Sequence, residues 1–319
     1  MIIIFYIKEM TEENDFFKPE SKLPSPLKKF AFIFLKFRAT IVLKENLLIL
    51  PYTKNTLHKL TEKKINKFFK RIEKACADYK IKAIAISNEI GKMQHIDYLK
   101  NLIYSNNLYI LTGNELFKSS SPYVLEYISK SSDKPLNEIE LSVMTNTTNE
   151  YMKNLITLLA PKVKNINIVT SNLTYFKPLA QELYDSFGIS VRISNNKKKI
   201  LTKSHIIFNY DFSEGVLNKY ALPFKGILVN FDEKINIHNK LFNGLNIHYF
   251  SISVNTNIIE DFKNIYLLKS FPLELIYEGQ CYNQLNSTKI FNKFIDDNFI
   301  ITGLYTHNGK LEEAMYKIL

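Results

Sequence analysis

The chain has 319 residues, 46% of them apolar, and a formal net charge of +11. That is enough apolar residue to build a core in each of two domains, and it excludes an intrinsically disordered protein. No apolar run reaches the roughly 18 residues needed to span a bilayer, so no membrane partner is expected.

The basic charge is almost all lysine, with arginine only at Arg38, Arg71 and Arg192. Arginine forks supply much of the bidentate reading of bases and phosphates. The lysines are dispersed, and their densest run, Lys197–Lys199, reads as a loop. Specific nucleic-acid binding is therefore not expected, and a weak basic nucleic-acid-associated protein stands as the third functional reading. Cys76 and Cys281 are far apart, with no metal-binding pattern near either. Cys76 falls on the apolar stripe of a helix, where a free thiol behaves as a small hydrophobe. Nothing requires an oxidising compartment, and the cytoplasm is the expected location.

The opening Met1–Ile7 is apolar but short, and Glu9, Glu12 and Glu13 follow it. It lacks the basic flank of a cleaved signal peptide. It reads either as a first edge strand or as residues ahead of a true start at Met10. Residues 1–28, with Pro19, Pro24 and Pro26, read as a poorly ordered lead-in. Residues 29–121 read as a small α/β domain. Its expected strands are Phe30–Phe37, Thr40–Leu50 (a hairpin around Lys44–Asn46), Ala83–Ile86 and Leu108–Leu111. A helix follows Thr61, with Ile65, Phe68, Phe69, Ile72, Cys76 and Tyr79 on one face. A second is expected around His95–Tyr104.

Residues 122–135 read as a connecting helix, and residues 136–255 as a doubly wound, mostly parallel, Rossmann-like α/β domain. Its strands are Ile139–Met144, Ile166–Thr170, Ile189–Ile193, Ile206–Asn209, Ile227–Phe231 and Leu245–Ser251. Helices are expected at Tyr151–Ala160 and at Phe176–Phe187, with Pro178 in the first turn and Gly188 closing the second helix. Residues 256–319 form a less regular tail. It holds a helix at Ser287–Ile295, a strand at Phe299–Tyr305, a turn at Asn308–Gly309 and a closing helix at Lys310–Leu319.

The order of elements from about Pro122 to Phe250 resembles the NAD(P)-binding domain of the shikimate-dehydrogenase, glutamyl-tRNA-reductase and amino-acid-dehydrogenase type. The resemblance covers roughly 130 residues and implies a Rossmann fold preceded by a small catalytic domain. The family's first strand runs into a glycine-rich turn whose backbone approaches the pyrophosphate. Here Ile139–Met144 runs into Thr145-Asn146-Thr147-Thr148-Asn149-Glu150, with no glycine. Glu150 would set a carboxylate where the phosphate charge belongs. Where the family places an acid for the ribose hydroxyls, the chain has Ser171 and Asn172.

Both cofactor determinants are thus missing, and no cofactor is expected. Thr145, Asn146, Thr147, Ser171, Asn172, Asn209 and Asn230 remain the candidates for a relic pocket, against a reading of them as caps and loop starters. Asp211 and Asp232 belong to the same strand-end group. In the first domain Glu89 and Lys92, following Ala83–Ile86, are weak candidates for a proton-transfer pair, against a solvated loop. The six histidines show no metal-ligand spacing, and His205 reads as packed or capped. Asp296 and Asp297 read as a loop, and no metal is expected. The preferred reading is a non-catalytic or regulatory protein on a degenerate dehydrogenase-like scaffold, acting through protein partners or as a homodimer. The alternative is an NAD(P)-dependent oxidoreductase with a diverged nucleotide loop, so enzyme status stays open.

Overall fold

In a computed structural model the described residues are 4–9, 42–44, 47–50, 52–57, 59–87, 90, 108–220, 225–231, 234–238, 242–254, 271–285 and 299–318. Phe30–Phe37, the helices expected around His95–Tyr104 and at Ser287–Ile295, Glu89, Lys92, Asp232, Asp296 and Asp297 fall outside them. The chain divides into two compact units, one of residues 1–112 with 260–281, the other of residues 113–259 with 282–319.

The first unit carries β1 (Ile4–Glu9), β2 (Val42–Lys44), β3 (Leu47–Leu50), α1 (Lys54–Leu57), α2 (Glu62–Asp78), β4 (Ala83–Ile86) and β5 (Tyr109–Leu111). Its sheet runs β2-β3-β1-β4-β5, parallel except for the β2–β3 hairpin. The opening segment is therefore not an edge strand. It lies between β3 and β4, with Ile7 paired to Leu48 on one side and Ile86 on the other. Helix α2 buries Ile65, Phe68, Phe69, Ile72 and Cys76, the three- and four-residue steps that put side chains on one face. Each fully buried phenylalanine there contributes roughly 2–3 kcal/mol of transfer free energy. Tyr79, grouped with that face by spacing, instead caps the helix and is 49% exposed.

The second unit opens with α3 (Asn114–Ser119) and α4 (Ser121–Ser132). The alternation then follows as β6 (Glu140–Met144), α5 (Glu150–Leu159), β7 (Asn165–Val169), α6 (Leu173–Phe187), β8 (Val191–Ser194), α7 (Lys197–Leu201), β9 (Ile206–Asn209), α8 (Glu214–Tyr220), β10 (Ile227–Asn230) and β11 (Leu245–Ile247). All six strands are parallel, in the order β11-β10-β9-β6-β7-β8. The chain thus starts in the middle at β6, winds outward through β7 and β8, then returns to the other side of β6 for β9, β10 and β11. That is the strand order of the Rossmann fold, with its topological switch point between β6 and β9.

Four expectations need correcting in this unit. Leu245–Ser251 is not one strand, because β11 joins the parallel sheet while β12 (Tyr249–Val254) starts an antiparallel one. Helix α6 begins at Leu173, so Pro178 lies inside the helix and not in its first turn. Lys197–Lys199 is the start of α7, held by the Asn196 side chain, which accepts from Lys199 N at 3.1 Å. The chain's end, Glu313–Ile318, is a 3-10 helix. Helix α9 (Leu273–Leu285) falls mostly in the first unit, while in the second β13 (Phe299–Thr306) and β14 (Gly309–Lys310) complete the small antiparallel sheet β12-β13-β14. Gly309 takes φ +113°, a conformation that favours glycine, at the turn expected there.

The core beside the switch point is aromatic. Phe117 stacks on Phe250 at 4.7 Å and meets Phe231 at 4.7 Å, and Tyr210 stacks on Phe231 at 4.8 Å. No described helix is long and apolar enough to cross a membrane.

Candidate functional site

The carboxyl edge at the switch point is where a doubly wound sheet places its ligand. The pairing of β6 with β9 sets Met144 opposite Asn209, and Tyr210 N donates to Met144 O one step further on. The next residue, Asp211, therefore meets the loop leaving β6. Its carboxylate accepts from Asn146 N at 2.9 and 2.8 Å and from Thr147 N at 2.8 Å. The hydroxyls of Thr145 and Thr147 donate to the same carboxylate at 3.0 and 2.8 Å. Successive loop N–H groups aimed at one anion form the kind of nest that holds phosphate in nucleotide-binding loops. In this chain the anion in the nest is its own aspartate.

Asn146 ties this loop to the one after β7. Its Oδ1 accepts from Ser171 N at 2.8 Å, and its carbonyl accepts from Asn172 Nδ2 at 2.7 Å. Thr170 is fully buried and accepts from Asn172 N through Oγ1 at 3.0 Å. Five candidate residues, Thr145, Asn146, Thr147, Ser171 and Asn172, are thus brought together, each joined through these bonds to the others or to Asp211.

The helix that follows starts as its residues dictate. Asn149 is the N-cap of α5, its Oδ1 accepting from Met152 N at 2.9 Å. Glu150 is not the anion at the nest. It points to solvent and pairs with Lys153 at 2.9 Å, one turn on. Asp211, which the sequence places only among strand-end loop starters, is the residue that fills the role assigned to Glu150.

Asn209 and Asn230 belong to a second network. Asn209 Nδ2 donates to Phe212 O and to Asn230 Oδ1, both at 2.9 Å, and its Oδ1 accepts from Phe212 N at 3.0 Å. Asn230 Nδ2 donates to Asn246 Oδ1, and Asn246 Nδ2 donates to Ile235 O at 2.8 Å. The chain of amides stitches β9, β10 and β11 together and ends on a backbone carbonyl. Asn209 and Asn230 are 2% and 1% exposed, so they hold the sheet edge and are spent as ligand donors.

The Tyr151 and Tyr210 hydroxyls are not poised for proton transfer near neutrality. Burial pushes the Tyr151 and Tyr210 hydroxyls well above the usual tyrosine range, and Tyr151 shares a 2.8 Å hydrogen bond with Ser119. Elsewhere, burial pushes the Cys76 and Cys281 thiols up to about 12, the opposite of what a nucleophile needs. His205 is packed as expected, with Nδ1 accepting from Glu140 N at 3.0 Å at the amino end of the sheet. Among the described residues no three His, Cys, Asp or Glu side chains are grouped to hold a metal.

Fold and site together define a class: an α/β protein with a six-stranded parallel sheet in Rossmann order, whose loop amides after β6 are held by an internal carboxylate. No protein-family model matches the chain, and no curated protein does. Solved structures it is similar to include the L-tryptophan dehydrogenase of Nostoc punctiforme, at 13% identity, 93% of this chain, 76% of that chain and a TM-score of 0.33. The glutamyl-tRNA reductase of Methanopyrus kandleri is 10% identical over 73% of this chain and 54% of that one, with a TM-score of 0.29. The quinate dehydrogenase of Corynebacterium glutamicum, solved with NAD, is 7% identical over 72% and 79%, with a TM-score of 0.26. At such values the fold rests on the strand order itself.

Proposed function

We propose that the chain is a non-catalytic or regulatory protein built on a dehydrogenase-like Rossmann scaffold, with Asp211 standing where a dinucleotide would present its pyrophosphate. The observation that carries this reading is the capture of Asn146 N and Thr147 N by one carboxylate. A bound dinucleotide would have to displace Asp211 or bring its own charge against it, and Coulomb repulsion in a half-buried site opposes the second course. The absence of glycine from 145–150 and of an acid at Ser171 or Asn172 supports the same conclusion. The protein then acts through protein partners or as a homodimer, and its buried, unpaired cysteines suit the cytoplasm.

Isothermal titration with NAD, NADH, NADP and NADPH tests the reading. No dissociation constant tighter than about 100 μM, roughly 5.5 kcal/mol, is expected. Tighter binding would establish the alternative, an oxidoreductase whose Asp211 moves aside, which the preserved Rossmann strand order favours.

A further inference from the structure

Asn-Gly occurs at Asn243-Gly244 and at Asn308-Gly309, and the fold treats the two sequences oppositely. The pair carries chemistry of its own, because glycine has no side chain to shield its amide nitrogen from the carboxamide of the preceding asparagine. At the first sequence the glycine is packed. A Cβ on Gly244 would collide with Gly226 O and with the Phe242 ring. The next residue is already held, with Leu245 N donating to Gly226 O at 2.9 Å. The peptide between Asn243 and Gly244 has little room to turn its nitrogen toward the Asn243 side chain.

Asn308-Gly309 instead forms the tip of the β13–β14 hairpin, a turn that favours this residue pair. Both residues are exposed, and a Cβ on Gly309 would meet nothing within 4 Å. The ladder ends there, with Thr306 paired to Gly309 as its last rung and Gly309–Lys310 as the whole of β14. A terminal rung of that kind opens locally at small cost. The tip is anchored through neighbouring groups: Asn308 N donates to Thr306 Oγ1 at 3.2 Å, Thr306 Oγ1 donates to Gly309 O at 3.5 Å, and His307 Nε2 meets Asn236 Oδ1. Among the described residues nothing hydrogen-bonds the Asn308 carboxamide.

We propose that Asn308 is a site of spontaneous deamidation, a modification that turns the hairpin tip acidic as the protein ages. The Gly309 amide nitrogen gives its proton to solvent base and attacks Asn308 Cγ. A new C–N bond forms as the bond from Cγ to the side-chain nitrogen breaks, and ammonia leaves a cyclic imide behind. Water then opens either carbonyl of the imide, giving aspartate by one route and isoaspartate by the other. Water is the sole co-reactant, and nothing is oxidised or reduced. Both products set a carboxylate beside His307, and isoaspartate also threads the side-chain carbon into the backbone of the turn. The inference is independent of the role given to Asp211.

The full chain, kept folded at mildly alkaline pH for days, is digested in acid and mapped by mass spectrometry. Isoaspartate is counted with an isoaspartyl-specific methyltransferase and S-adenosylmethionine. Asn308 should convert at least about tenfold faster than Asn243, about 1.4 kcal/mol of barrier. In guanidinium chloride, where neither glycine is held, the two should convert at comparable rates. Aspartate and isoaspartate should both appear at position 308. The proposal is overturned if Asn308 stays intact in the folded chain while converting in denaturant, or if Asn243 keeps pace with it in the folded chain. Aspartate alone would overturn it too, because that product without isoaspartate means direct hydrolysis and no imide.

Discussion

Asp211 accepts the backbone N–H of Thr147 at 2.8 Å across 64 residues of sequence, and the Thr147 hydroxyl donates to the same oxygen at 2.8 Å. Two loops are thereby locked over the switch point, with Asn146 N and the Thr145 hydroxyl completing the set. Asp211→Ala leaves Asn146 N without its acceptor and Thr147 N with only the Thr145 hydroxyl at 3.1 Å, and should cost about 2 kcal/mol in urea unfolding, with Asp211→Asn intermediate. The emptied nest should also respond to added inorganic pyrophosphate, which raises the variant's unfolding midpoint and leaves the wild type's unmoved. A loss under about 0.5 kcal/mol would mean the bonds do not hold the loop.

The asparagine chain predicts coupling. Asn230 sits between Asn209 and Asn246, almost fully buried, so Asn230→Ala strands an acceptor on one side and a donor on the other. The expected cost is roughly 2 kcal/mol. The double variant with Asn209→Ala should fall short of the sum of the singles by about 0.5 kcal/mol or more, because both remove the same bond. Strict additivity would show that the amides act separately.

The cysteines give a chemical prediction. Cys76 and Cys281 are each 2% exposed, and burial holds both thiols protonated at any ordinary pH. Ellman's reagent at about pH 8, where a free cysteine is partly thiolate, should label neither in the native chain and both in urea. Rapid labelling of one thiol without urea would mark it as an exposed and reactive group.

Local signals made most of the second unit legible. Ala83–Ile86 in the first unit and Ile206–Asn209 in the second match strands residue for residue, because short apolar runs bounded by polar residues are buried parallel strands. Asn149 announces α5 through bonds confined to one turn. What the sequence hides is non-local. Nothing near Asp211 tells that it meets Thr147, since that meeting depends on β6 and β9 being neighbours across the switch point. Nor does the pattern of Leu245–Ser251 tell that the strand changes sheets after Ile247, because β11 and β12 differ only in their partners. Helix α9 escapes periodicity for a related reason: Leu275, Ile276, Tyr277 and Glu278 are consecutive and all buried, so no polar face marks the turn.

His205 predicts how stability follows pH. In the fold its Nδ1 accepts from Glu140 N, which requires the neutral ring on that side. Burial lowers its pKa from 6.5, and the nearby ammonium groups of Lys134 and Lys164 lower it further, against a smaller opposing pull from Glu140. A depressed histidine pKa means that the unfolded chain takes up the proton first as pH falls. The stability tied to the neutral ring is therefore fully present above pH 6.5 and is lost as pH drops below it. The ring is partly exposed, so solvent screening should hold the loss to less than about 1 kcal/mol. Urea unfolding at about pH 7.5 and 5.5 should show the wild type losing stability and His205→Gln, which has no proton to gain, losing less. His248 is lowered in the same direction, first by burial and then by His307 and Lys234, so His205→Gln with His248→Gln should be flatter still. A wild type that gained stability on acidification relative to His205→Gln would reverse the sign and show that the ring is charged in the fold.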